Sequence, residues 1–175
     1  GLHVSGSDVS PALIGVAREK YSDIKFSVED FTQPDSSFLS PDYDVVSLLG
    51  VHGRFRRLDS WLPCFTSLIS KNGYGLIFDL FNSEPVDVVV SASASETQER
   101  GYDNTYFNMV SIDSVSNKLS TLGFRSRFHR FEMPFVIEKP SDPFRSWTID
   151  LATGKRMLTN GLGQIFDLYL CVVYK

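Results

Sequence analysis

Hydrophobic positions along the chain fall into short blocks that switch between a strand period and a helix period. Leu2-His3-Val4-Ser5-Gly6-Ser7 reads as the end of a buried strand that runs out at Asp8. Val9-Ser10-Pro11 then opens a helix, with Ser10 at the N-cap and Pro11 at the first helical position, where its missing N–H costs nothing. Leu13, Ile14 and Ala17 recur at helical spacing, and Arg18-Glu19-Lys20 supply a solvated face. Ile24-Lys25-Phe26-Ser27-Val28 alternates as a strand and ends at Glu29-Asp30-Phe31. A strand–helix–strand of this length predicts a parallel pair with a right-handed crossover, and ligands of such sheets bind beyond the carboxyl ends of the strands.

The pattern continues in the same α/β manner. Thr32 to Asp42 is a polar loop, and Tyr43-Asp44-Val45-Val46-Ser47-Leu48-Leu49 is a nearly continuous apolar strand, expected to be central and buried on both faces. It ends in Gly50-Val51-His52-Gly53. Ser60 is placed to cap a helix carrying Trp61, Leu62, Phe65, Leu68 and Ile69, which Asn72-Gly73 would stop. Gly75 to Phe81 is a further buried strand. Ser111 caps a helix with Ile112, Val115, Leu119 and Leu122 on one face, ended by Gly123; Phe124 to Phe135 and Phe166 to Tyr174 are the last strands.

Two stretches exceed plain connections. Asn82 to Val110 holds the β-prone Val86-Asp87-Val88-Val89-Val90 and the aromatics Tyr102, Tyr106 and Phe107. Ile137 to Gly163 contains Trp147 to Leu151, a turn at Ala152-Thr153-Gly154 and a return over Lys155 to Thr159, which together predict a β-hairpin. Long loops over a rigid α/β scaffold carry specificity. The two excursions are expected to meet over the ligand-binding edge, bringing Tyr102, Tyr106, Phe107 and Trp147 to a substrate pocket.

That edge carries Asp8, Glu29 and Asp30. An acidic residue just past the first strand is suited to accept hydrogen bonds from two ribose hydroxyls, and one past the next strand to accept from an amino group on a base ring. Helix capping by Asp8 and a turn cap at Asp30 are the structural alternatives. Gly6-x-Asp8-x-Ser10-Pro11-x-Leu13-Ile14-x-x-Ala17-Arg18, followed by Phe26-x-x-Glu29-Asp30-Phe31, resembles the second and third strands of class I S-adenosylmethionine-dependent methyltransferases.

The resemblance implies S-adenosylmethionine as cofactor, with Asp8 on its ribose, Val9 packed on its adenine, and Asp30 and the Phe31 backbone at the adenine amino group. Gly50 would pass under the methyl-bearing sulfonium, and His52 would stand beside it as a base. The implied fold is Rossmann-like: a mostly parallel sheet with helices on both faces and an antiparallel last strand. The family's glycine-rich loop would lie upstream of Leu2, and neither Gly73-Tyr74-Gly75 nor Gly161-Leu162-Gly163 sits where that loop belongs. Residues 1–175 are therefore expected to form a partial domain, truncated at the amino terminus, with insertions at about 82–110 and 137–163 and an inserted β-hairpin near the carboxyl end. The family's first strand lies between its second and fourth, so Leu2 to Ser7 and Tyr43 to Leu49 are not expected to pair directly.

Composition narrows the function. A chain of 175 residues with 42% hydrophobic and 22% charged residues is one globular domain by size and content. A net charge of -4 disfavours nucleic acid as substrate, and Arg54-Phe55-Arg56-Arg57 is the one basic knot, read as a solvated turn. No run spans a membrane, no Cys/His/Asp spacing matches a metal site, and two cysteines in apolar elements point to a reduced, cytoplasmic setting. The leading expectation is methyl transfer to oxygen or nitrogen of a small molecule. The alternatives are a non-catalytic Rossmann-like binding domain and a nicotinamide-dependent oxidoreductase, the latter without a Tyr-x-x-x-Lys to support it.

Overall fold

The computed structural model describes residues 1–30, 32, 43–93 and 105–175. The first unit is β1 (Ser5–Asp8), α1 (Pro11–Lys20) and β2 (Lys25–Val28). β3 (Tyr43–Leu49), α2 (Leu62–Ser67) and β4 (Ile69–Asn82) follow. The first excursion carries two-residue strands β5 (Ser91–Ala92), β6 (Thr105–Tyr106) and β7 (Val110–Ser111). Then come α3 (Ile112–Thr121), β8 (Arg125–Phe131), β9 (Trp147–Asp150), β10 (Arg156–Thr159), β11 (Ile165–Phe166) and β12 (Leu168–Tyr174).

β1 and β2 are parallel in the register Ser5↔Lys25 to Asp8↔Val28, as the crossover predicts. α1 starts where its capping residues place it: the Leu13 amide donates to the Ser10 hydroxyl, and Arg18 reaches across to the Phe26 carbonyl at 2.7 Å. The main sheet has the order β3-β4-β12-β8, with β7 also on β4. β3 and β7 run parallel to β4, and β12 runs antiparallel to both β4 and β8. The last strand is thus the antiparallel one, inserted between two others.

α2 and α3 cover one face of this sheet. Trp61, Leu62 and Phe65 meet Val115 and Leu119 above Ile77, Phe81, Cys171 and Val173, all buried. α3 is capped by Ser111, whose hydroxyl accepts from the Ser114 amide, and it ends at Gly123, whose φ of 80° suits the residue without a Cβ.

Three features correct the sequence reading. Among the described residues, helices cover one face of the main sheet and not both, since α2 and α3 contribute to a single core and the opposite face keeps Val45, Leu49, Tyr74 and Phe131 exposed. Among the described residues β3 pairs with β4 alone, and none of its seven residues is fully buried, so it is not the strand covered on both faces that its apolar run predicts. The second helix stops at Ser67, and Asn72-Gly73 lie inside β4 instead of ending a helix. There the β3–β4 register jumps from Tyr43↔Ile69 to Val45↔Tyr74, and a Cβ on Gly73 would stand 2.7 Å from the Tyr43 carbonyl oxygen. Gly73 is a close-approach residue in an irregular ladder; the same Asn-Gly signal serves bulges as well as helix ends.

β1 and β3 do not pair. No ladder joins β1 or β2 to the main sheet among the described residues. Among the described residues, β1 pairs with β2 alone and β3 with β4 alone, so each has one edge without a ladder partner.

Candidate functional site

β3, β4 and β8 end on the same side of the main sheet, where β12 begins. A cavity of about 290 Å³ opens there. The sheet supplies Gly50, Asp79, Leu80 and Leu168; the first excursion supplies Phe107; the second supplies Ile137, Phe144, Arg145, Ser146 and Leu158. Gly50 leaves β3 with a φ of 68°, its amide donating to the Phe78 carbonyl at 2.8 Å. This left-handed turn is what lets the chain leave the strand tightly at the cavity wall.

Both long excursions fold onto this end of the sheet. β9 and β10 form the expected hairpin in the register Asp150↔Arg156 to Trp147↔Thr159, with β11 added to β10. Its turn is tied to the sheet by Asp167, which accepts from Lys155 at 2.9 Å and Arg130 at 3.0 Å. Buried amides stitch the layers together. Gln164 donates to the Phe107 carbonyl at 3.0 Å, and Asn108 donates to the Phe55 carbonyl while accepting from the Val90 amide. The Asn108 amide itself donates to Gly53 at 2.8 Å. Three separate segments thereby hold Phe107 and Arg54 against the cavity.

Asp79 sits at the end of β4 and is 4% exposed. Its Oδ1 accepts from the Leu80 amide at 2.8 Å, while Oδ2 has a long 3.5 Å contact from the Gly53 amide. A lone acidic residue near the carboxyl end of an otherwise apolar strand was the available signal for it. No motif marks Asp79 in the sequence, and Arg54 reads there as part of a solvated turn.

His52, expected beside the ligand, is placed elsewhere. It is 1% exposed and does not line the cavity. Its ring lies 4.3 Å from Phe81 and 6.0 Å from Trp61, and Nε2 donates to the Leu80 carbonyl at 2.8 Å, leaving Nδ1 unpartnered. The strand end that carries it turns inward through a single 3₁₀ turn, His52–Arg54, and so delivers the ring to the core. Burial pushes its pKa below the usual 6.5, against a smaller opposing pull from Asp79. The neutral ring is thus favoured by folding, so stability is complete above the unfolded-state value and falls as pH drops below it. Stability measured by urea unfolding is expected to fall as pH drops below about 6.5, by up to about 1.4 kcal/mol per pH unit. His52→Phe should flatten that slope; an unchanged slope would show that the ring does not titrate on unfolding.

The remaining expected residues divide into three groups. Asp8 and Asp30 lie together at the carboxyl ends of β1 and β2, where Asp8 pairs in register with Val28. Asp8 Oδ1 accepts from the Ser10 amide, and Asp30 Oδ1 accepts from the amide and hydroxyl of Thr32. Val9 beside them is exposed. Tyr106 contributes its carbonyl to Arg54, and Trp147 stands under Lys139 next to the cavity-lining Ser146. Phe31 and Tyr102 lie outside the described residues. No group of three metal-ligating side chains occurs among the described residues, and no helix there is long and apolar enough to cross a membrane.

No protein-family model and no curated protein sequence matches the chain. Solved structures do. The YcgJ protein from Bacillus subtilis superposes with a TM-score of 0.60 at 11% identity, over 97% of this chain and 80% of that one. The glycopeptide N-methyltransferase MtfA, complexed with S-adenosylmethionine, gives 0.56 at 11% identity, over 99% and 78%. DhpI in complex with SAH gives 0.54 at 16% identity, over 97% and 65%, so this chain spans about two thirds of that protein. The chain has the α/β fold of class I S-adenosylmethionine-dependent methyltransferases, with a mixed sheet and few helices.

Proposed function

We propose that this chain forms the body of an S-adenosylmethionine-dependent methyltransferase that acts on oxygen or nitrogen of a small molecule. The observation that carries the proposal is the cavity at the carboxyl ends of β3 and β4, walled by Gly50 and Asp79 and closed over by both excursions. Asp8 is the residue for the cofactor ribose. One oxygen is engaged by the Ser10 amide and the other keeps its acceptor capacity, which fits vicinal hydroxyls. Val9, Asp30, Phe31 and Gly50 complete the proposed cofactor set. Phe107 walls the acceptor, with Tyr106, Trp147 and Tyr102 assigned around it.

When bound, the cofactor supplies an activated methyl group, and the protein contributes alignment and exclusion of water. Asp79 Oδ2 is the atom placed to receive the acceptor's proton, since its single long contact leaves room for a short one. Of the two candidates, Asp79 lines the cavity and His52 does not. Asp79→Asn keeps the shape and removes the base. It should lower kcat about 100-fold or more while leaving cofactor affinity within about twofold; an unchanged kcat would remove Asp79 from the chemistry.

The unpaired edges of β1 and β3 and the helix-free face beside them support a further parallel strand, with helical cover, in the gap between those edges. The proposal thus retains the reading of 1–175 as part of a larger methyltransferase domain. The test is calorimetric titration of the full-length protein with S-adenosylhomocysteine and, separately, with a nicotinamide dinucleotide. Binding of the first alone is expected, weakened about tenfold or more by Asp8→Ala through loss of a charge-assisted pair. Binding of the dinucleotide alone would transfer the assignment to an oxidoreductase, and binding of neither to a non-catalytic domain.

A further inference from the structure

We infer that the cavity takes a small amphipathic molecule bearing an anionic group, which Arg54 and Arg145 hold at the cavity mouth. This rests on the reading of the cavity as the acceptor site and names the class of molecule it accepts. Arg54 and Arg145 line the cavity together with one acidic residue, Asp79. The two arginines are exposed, with the Arg145 side chain 78% accessible, whereas Asp79 is buried among backbone amides. Positive charge therefore gathers at the mouth and the carboxylate at the floor.

Arg54 has no acidic partner among the described residues. Its Nη1 donates to the Tyr106 carbonyl at 3.4 Å, and its guanidinium lies over the Phe107 ring, 5.4 Å from the centroid. The ring contact and the carbonyl bond restrain the group, and its Nε and Nη2 donors form the forked edge that a bidentate oxyanion would use. Arg145 has one ion pair, with Asp142 at 3.8 Å, and an exposed contact that long contributes little. Between mouth and floor the wall is apolar, through Leu80, Phe107, Ile137, Leu158 and Phe166.

A neutral guest would leave Arg54 with no acidic partner among the described residues and Arg145 with only its long contact to Asp142, and a wholly polar one would waste the apolar wall. A carboxylate or phosphate on an aryl or alkyl body satisfies both, and places a hydroxyl or amine at its far end toward Asp79. The protein carries a net charge of -4, so this pair of cations is a local feature and no sample of a basic surface. Guanidinium recognises carboxylate and phosphate oxygens by the same forked geometry, so the two are one chemistry here.

Calorimetry on the full-length protein tests this with para-hydroxybenzoate, para-hydroxyphenyl phosphate and the neutral para-hydroxybenzamide. The wild type should bind each anion about tenfold or more tighter than the amide. In the Arg54→Gln, Arg145→Gln double variant that preference should fall to within about twofold, with S-adenosylhomocysteine affinity unchanged as the check that the domain is intact. The better of the two anions identifies the natural group. Equal binding of anion and amide by the wild type, or an undiminished preference in the double variant, overturns the inference. Anion preference without S-adenosylhomocysteine binding would sustain the anion site and reject methyl transfer; the converse result would reject the anion site alone.

Discussion

Replacing Trp61 by alanine is expected to destabilise the main domain by about 3–5 kcal/mol, the usual cost of truncating a buried aromatic. Trp61 is 1% exposed and joins two parts of the core. Its ring is stacked near Phe55 at 6.0 Å and meets Phe65 edge-on at 6.1 Å, while His52 lies on the other approach at 6.0 Å. The residue precedes a short helix, Leu62–Ser67, that is too brief to persist without tertiary packing. Removing the indole would therefore loosen α2 and the His52 turn together. Against a typical total of about 5–15 kcal/mol, the loss is a large share. Urea unfolding followed by circular dichroism should show the midpoint move down sharply, and Trp61→Phe should recover most of it. A Trp61→Ala midpoint near that of the wild type would mean that the cavity is refilled by neighbours.

The elements legible in the sequence were those set by local chemistry. Ser10 and Ser111 cap the helices that their positions predict, and the hairpin from Trp147 to Thr159 forms around the turn its residues mark. What failed were inferences about surroundings. The apolar run Tyr43–Leu49 reads as a strand buried on both faces, but burial depends on neighbours that a run of side chains does not specify, and none of its residues is fully buried. Asn72-Gly73 illustrates a second limit, since the same dipeptide can end a helix or bend a strand. The site was partly legible. Phe107 and Gly50 line the cavity, while His52 lies in the core because a 3₁₀ turn, invisible in the periodicity, rotates it inward. Asp79 and Arg145 become meaningful only when strands β3 and β4 and the second excursion are brought to one end of the sheet.

Hydrogen exchange on residues 1–175 is expected to separate the chain into two unequal parts. Amides of β12 and of β4 from Tyr74 onward should be protected near the global limit, because β12 is paired on both sides along Leu168–Tyr174 and β4 has a strand partner at every position from Tyr74 to Asn82. Amides of β1 and β2 should exchange about a thousandfold faster or more, through local opening. The physical reason is the size of the unit. A two-stranded sheet is marginal by itself, and α1, at 10 residues, is shorter than an isolated helix that holds its shape in water, about 12–15 residues. Only Ile14 of α1 is buried, whereas Leu13 is 60% exposed and Val16 61%. The capping bond at Ser10 and the Arg18 tether to Phe26 work within the unit and do not anchor it to the main sheet. A strand seated between β1 and β3 would pair both edges at once and give the exposed apolar residues a neighbour. Longer forms of the protein that contain such a strand should therefore protect β1 to the level of β4. Equal protection of β1 and β4 in residues 1–175 alone would show that the first unit is already held, and would refute the proposed gap.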